Sequence, residues 1–258
     1  AKYFASVTRY ASNAPEGTVP TSYNFAFPLD SKTGNGDKQY MRITNKTGSC
    51  WLQTNWVEVM NVRDKAVTAR VIFRDASGAM VGETPFNYAP RSQYHFNASA
   101  LLPKDIDGSV EVSSSDPGAL ITQSLVYFHD TCGSNSLQTA YASPGRIAGQ
   151  DVQAGSFNTN IQMKNQLNII GTTAQATPVN VEVRADGQLL SQIVNSLGSL
   201  STNALDLNNA SIFGTRQNQY GTITLRTPSM PKRIVAENLR VRESVPGKID
   251  FVMMTAIQ

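Results

Sequence analysis

Gly108 to Phe128 reads GSVEVSSSDPGALITQSLVYF, and Gly221 to Val241 reads GTITLRTPSMPKRIVAENLRV. Each stretch opens on Gly, alternates apolar with small polar residues, turns at a Pro-containing loop and alternates again. The likeness extends along the chain. NWVEVMNV (Asn55 to Val62) aligns with NQLNIIGT (Asn165 to Thr172), and Val71 in ARVIFRDASGAMV matches Val181 in VNVEVRADGQLLS. The endings LQTAYA and FVMMTAI also correspond, as do the entries SYNF at Ser22 and SFNT at Ser156. Repetition over about a hundred residues means duplicated domains, because the units of a solenoid are shorter.

Every run in the repeat has period two, is rich in Val, Ile, Thr, Tyr and Phe, and is bounded by Gly, Asn, Asp or Pro. Many such runs without a helical period predict an all-β chain of two tandem antiparallel β-sandwich domains with a strand-like amino-terminal arm. The expected divisions are an arm and tether over 1–20, a first sandwich over 21–145 with an insertion at 31–50, a linker over 146–155, and a second sandwich over 156–258. The pattern resembles immunoglobulin-like or fibronectin-like modules of bacterial surface and fibre proteins, though without the buried Cys–Trp–Cys core of true immunoglobulins. No functional residue carries over from that resemblance.

Charged residues make up 16% of the chain and the net charge is +3. The first 150 residues hold 13 Lys/Arg against 12 Asp/Glu, and the remainder 9 against 7. Neither half has the basic field that nucleic acid binding needs. No apolar run is long enough to span a membrane. Cys50 and Cys132 are the whole cysteine complement, which predicts one disulfide and an oxidising, extracellular or cell-surface location. A start at Ala1 without Met fits a processed, secreted form.

No catalytic, metal or cofactor signature appears, and an enzyme is the reading the sequence favours least. His95 and His129 read as polar strand residues, since no Gly-x-Ser-x-Gly elbow accompanies them. Asp105 to Gly108 (DIDG) has calcium-like ligands but lacks further acids, so it reads as a connection. Asn45, Asn97 and Asn209 head glycosylation triplets that an Asn-rich chain produces by chance. Arg226, Lys232, Arg233, Arg240, Arg242 and Lys248, interspersed with Glu237 and Glu243, read as a solvated face.

The stronger signal is apolar. If Leu125 and Tyr127 face the core, Val126 and Phe128 point outward where the second copy has Arg240 and Arg242. Either the insertion of the first domain covers them, or they form an interface between subunits. In the arm, Tyr3, Phe4 and Val7 lie in a strand-like run suited to pairing with a neighbour's sheet edge or, alternatively, within its own sandwich. These features predict a secreted structural subunit that self-associates into a fibre or layer. The alternative is a monomeric adhesin or carbohydrate-binding module that presents Tyr40 and Trp51 to a cell-surface glycan.

Overall fold

The fold is that of a computed structural model, which describes residues 5–11, 23–29, 38–133, 137–228, 231 and 233–258. Its described residues are all-β, and helix is confined to two 3-10 turns and one single-turn α-helix in the connections. The first domain contains β3 (Lys38–Asn45), β4 (Trp51–Asn61), β5 (Val67–Asp75), β6 (Met80–Tyr88), β7 (Gln93–Asn97), β8 (Ile106–Ser114), β9 (Leu120–Asp130) and β10 (Leu137–Pro144). The second contains β11 (Val152–Asn158), β12 (Lys164–Gly171), β13 (Thr177–Ala185), β14 (Gln188–Leu197), β15 (Thr202–Asp206), β16 (Tyr220–Arg226), β17 (Ile234–Val245) and β18 (Lys248–Ile257). Ahead of both, β1 (Ala5–Ala11) and β2 (Tyr23–Leu29) form an antiparallel hairpin.

The two domains have one topology. Sheet β3-β8-β5-β6 has its counterpart in β11-β16-β13-β14, and β10-β9-β4-β7 has its counterpart in β18-β17-β12-β15. Each pair of sheets encloses its own core. Met41, Val57, Val71, Phe73 and Val110 are among the residues of the first, and Phe157, Leu167, Val181, Phe213 and Ile223 of the second. The repeat in the sequence is therefore a repeat of hydrogen-bonded register. Gly108 pairs with Ile43 and Asp75, and Gly221 with Phe157 and Ala185. A Cβ on Gly108 would lie 2.2 Å from the Arg74 carbonyl, and one on Gly221 1.9 Å from the Arg184 carbonyl. The glycine that opens each copy is thus required by close approach of the neighbouring strand.

A buried asparagine is duplicated in the same way. Asn55 accepts from the Thr44 amide at 2.9 Å, and Asn165 accepts from the Asn158 amide at 3.1 Å. Their own amides donate to Ser99 Oγ and Asn208 Oδ1, in the segments that follow β7 and β15. Asn97 and Asn209 each cap the short helical turn in those segments, through Ala100 and Ser211. The NAS triplets are thus capping motifs kept in both copies.

Three expectations need correction. Residues 31–50 contain β3, which pairs along its length with β8 and contributes Met41 and Ile43 to the core. The counterpart of SFNT is accordingly RITN at Arg42–Asn45, since Ile43 and Phe157 face the equivalent glycines. Residues 146–155 are not a free linker: Arg146 and Tyr40 exchange backbone bonds, Gly149 donates to Ile234, and β11 begins at Val152. The arm, whose pairing the sequence leaves open, forms β1 opposite β2 of its own chain, with Val7 opposite Phe27. Tyr3 and Phe4 lie outside the described residues.

The hairpin repeats one further feature. β2 runs alongside β10, as β10 runs alongside β18. β2 ends at Leu29 before β3 begins at Lys38, and β10 ends at Pro144 before β11 begins at Val152. Hairpin β1–β2 thus stands toward the first domain as β9–β10 stands toward the second.

Candidate functional site

Val57 and Val59 lie in the core and pair with Ser124 and Thr122, so the even-numbered residues of β9 share the core-side face. Val126 and Phe128 are therefore on that face and not on the opposite one. They leave the first core and pack with Tyr141 against Leu239 and Ile249, with Trp51, Val241, Val252 and Met254 around them. The strand is apolar on both faces, which is why alternation alone assigned it one residue out of phase. What covers Val126 and Phe128 is the second domain of the same chain. Arg240 and Arg242 take no part in that cluster: Arg240 donates to Ser156 and Arg242 pairs with Asp250, all within the second domain. Tyr40 is buried with Ile170 and Val235, and Trp51 meets Phe128 edge-on, so both proposed ligand aromatics are spent on the joint.

The joint also holds buried charge. Arg42 binds Asp107, donates to Tyr141 Oη at 2.7 Å, and is almost fully enclosed. Burial opposes its charge, but Tyr141, Asp107 and Glu237 more than offset this and raise its pKa. Lys46 approaches the same Asp107 at 2.5 Å. Asp107 is thus committed to two cations, and the DIDG turn is a structural anchor. Across the joint, Ser143 donates to Glu237 at 2.7 Å and Arg146 to the Ala236 carbonyl at 2.6 Å. Cys50 and Cys132 form a disulfide that closes 82 residues, and a Cβ on Gly247 would come within 2.4 Å of Cys50 Cβ. The bridge therefore sits against the β17–β18 turn.

Two cavities occupy equivalent places on the two domains. On the first, an open groove of about 430 Å³ crosses the outer face of β4, β7 and β9. Thr54, Trp56 and Glu58 line it from β4, Leu125, Tyr127 and His129 from β9, and His95 from β7. In the second domain the same positions are Lys164, Gln166, Asn168, Leu239, Val241, Glu243 and Ala204 by register. All of these except Asn168 line a cavity of about 400 Å³ that Arg42, Lys46, Trp51, Gln53 and Phe128 of the first domain roof over. One face, duplicated, is covered in one copy and open in the other.

The open copy carries the polar chemistry. Glu58 is buried at the floor, held by Gln123 Nε2 at one oxygen and by His95 Nε2 at 3.4 Å at the other. Thr54 Oγ1 lies 2.9 Å from His129 Nε2, and partial burial lowers the His129 pKa. Trp56, 36% exposed, presents an aromatic face beside Tyr127. The sequence reading set both histidines aside and passed over Trp56 and Glu58. The signal available was the alternation Thr54, Trp56, Glu58, which puts a hydroxyl, an indole and a carboxylate on one face of a strand.

No protein-family model matches the chain, and no curated protein matches it. Among solved structures, Thermotoga maritima 1070 is 17% identical over 43% of this chain and 93% of its own, with a TM-score of 0.34. The Pleurotus Ostreatus lectin in its apo form is 8% identical over 88% of this chain and 78% of its own, with a TM-score of 0.22. A β-glucuronidase from glycoside hydrolase family 2 is 10% identical over 87% of this chain but 25% of its own, with a TM-score of 0.20. The neighbours are mostly lectins and glycosidases at low similarity, and none supports membership among immunoglobulin-like modules. At these TM-scores they carry no weight for function.

Proposed function

We propose that this chain is a non-catalytic carbohydrate-binding protein of an oxidising, extracellular setting, and that the open groove of the first domain is its recognition site. The observation that carries this reading is the placement of Trp56 and Tyr127 around the buried Glu58 carboxylate on an unroofed sheet face. A sugar ring has apolar C–H faces and a polar hydroxyl edge. Trp56 supplies a flat apolar surface for the first. Glu58, Thr54, His95 and His129 supply acceptors and donors for the second, and a buried carboxylate held by two partners is already oriented for hydroxyls. Hydrolysis of a glycosidic bond usually uses two carboxyl groups across the bond. Among the described residues lining the groove, Glu58 is the sole carboxylate, which favours binding over cleavage. The disulfide supports a location outside the reducing cytosol.

A glycan array followed by calorimetry on the best ligand tests the proposal. Trp56→Ala should weaken binding by at least about tenfold, the loss of one well-packed aromatic contact. Retained affinity in a folded Trp56→Ala protein, or no ligand on a broad array, contradicts it.

The fibre subunit remains a second reading, supported by the head-to-tail contact of the two domains, which between copies would propagate. Hairpin β1–β2 weighs against it, because it lies along β10 where the corresponding strand of a second copy would have to lie. Sedimentation at rising concentration separates the two: a monomer throughout favours the binding module, and growing polymers favour the fibre.

A further inference from the structure

The roofed cavity between the domains has a use of its own. One wall is aromatic, Trp51 and Phe128 meeting edge-on at 5.4 Å between ring centroids. The facing wall is aliphatic, from Leu239, Val241 and Ile249. The cationic side belongs to Arg42 and Lys46 of the first domain and Lys164 of the second.

The negative groups nearby are already engaged. Asp107 is shared between Arg42 and Lys46, and Glu237, which also favours the Arg42 charge, is engaged by Ser143 and Arg146, so the two cations have one carboxylate in direct contact. Glu243 pairs with Lys164 and accepts from the Gly247 amide. Asp206 accepts from the Asn208 amide in its own turn. Arg42 is 2% exposed and its Nε has no hydrogen-bond partner. Gln53, also buried, accepts from Thr44 through its Oε1 and lines the cavity. The Lys164 side chain is 67% exposed and marks the mouth.

We infer that this interdomain cavity binds a small carboxylic acid with an apolar body, its carboxylate taken by Lys46 and Arg42 and its hydrocarbon part held between Trp51–Phe128 and Leu239–Val241. A ligand carboxylate supplies the second counter-charge that the Arg42–Lys46 pair lacks, in a site sheltered enough for charge-assisted bonds to count. The volume suits an aryl or short-chain acid and excludes a polymer. The site differs from the open groove, where neither lysine nor arginine is among the described lining residues.

Benzoate and hexanoate are the probes, with benzyl alcohol as the uncharged control, titrated into the full chain and followed at the Trp51 indole N–H by NMR. Benzoate should shift Trp51 with a dissociation constant of about 1 mM or tighter, and benzyl alcohol should bind at least about tenfold more weakly. Lys46→Gln should weaken benzoate by about tenfold in a protein that circular dichroism shows to be folded, with a thermal midpoint lowered because Asp107 keeps only Arg42 as a cationic partner. Equal binding of acid and alcohol, no shift at Trp51 at saturating benzoate, or an unaltered affinity in Lys46→Gln would each overturn the inference. Trp56→Ala should leave benzoate binding unchanged, so failure of the carbohydrate reading and failure of this one are separately visible.

Discussion

Phe128 and Arg242 occupy the same position in the two copies of one sandwich, yet Phe128 is 1% exposed beneath the second domain and Arg242 pairs with Asp250 at the surface. The difference follows from what each side chain meets. Phe128 is buried against Leu239 and Ile249 of the second domain, whereas Arg242 is paired within its own domain, so one is apolar and the other charged.

Replacing Phe128 by the residue of the other copy should therefore uncouple the domains. Phe128→Arg places a cation among Leu239, Val241 and Ile249 without disturbing either core. The expected outcome is separation of one thermal transition into two, with a larger scattering radius. A single unshifted transition with an unchanged radius would count against a packed joint.

Gly108→Ala and Gly221→Ala should each cost about 2 kcal/mol or more, because the atom that the new Cβ meets is backbone and cannot rotate away. Gly198→Ala, whose Cβ would have its nearest contact at 3.4 Å, is the matched control and should differ little from the parent. Chemical denaturation measures all three. Equal tolerance at the three positions would mean that the register at Arg74 and Arg184 is misassigned.

Reduction of Cys50–Cys132 should lower stability by roughly 2–4 kcal/mol, as expected for a bridge closing a long loop. The loss should fall mainly on the first domain and the joint, since Cys50 lies against Gly247. Hydrogen exchange with and without reductant locates it. Faster exchange confined to β13 and β14 would contradict this placement.

Two groups set the acid side of the stability profile. Burial lowers the His129 pKa below its usual 6.5, so the unfolded chain takes up its proton first and stability falls as pH drops through about 6.5. For Asp107, burial raises the pKa, but Arg42 and Lys46 outweigh it and the net shift is downward from 3.8. Its contribution is complete above that value and is lost as pH falls below it. The thermal midpoint should be flat from pH 7 to pH 8 and decline in two steps on acidification, and His129→Gln should remove the upper step. A midpoint that rises between pH 7 and pH 5 would reverse the sign for His129.

The duplication was legible because equivalent residues answer equivalent neighbours. Gly108 and Gly221 meet a carbonyl, Asn55 and Asn165 hold a strand amide, and the paired cysteines were available only to each other. Less was legible where both faces of a strand are apolar. Leu125, Val126, Tyr127 and Phe128 alternate in position but not in polarity, so pattern could not say which face met the core. The joint was hidden for the same reason: Leu239 and Val241 read as core residues, and their partner is another domain. The groove was hidden because Glu58, His95 and His129 come from three strands that only the sheet order brings together.

The two tryptophans allow the central claim to be tested directly. Trp51 lies at the joint and Trp56 in the open groove. Titration of the array-selected carbohydrate, followed at both indole N–H resonances, should move Trp56 to saturation and leave Trp51 in place. Movement of Trp51 with Trp56 unperturbed would contradict the assignment of the first domain's open face as the site of recognition.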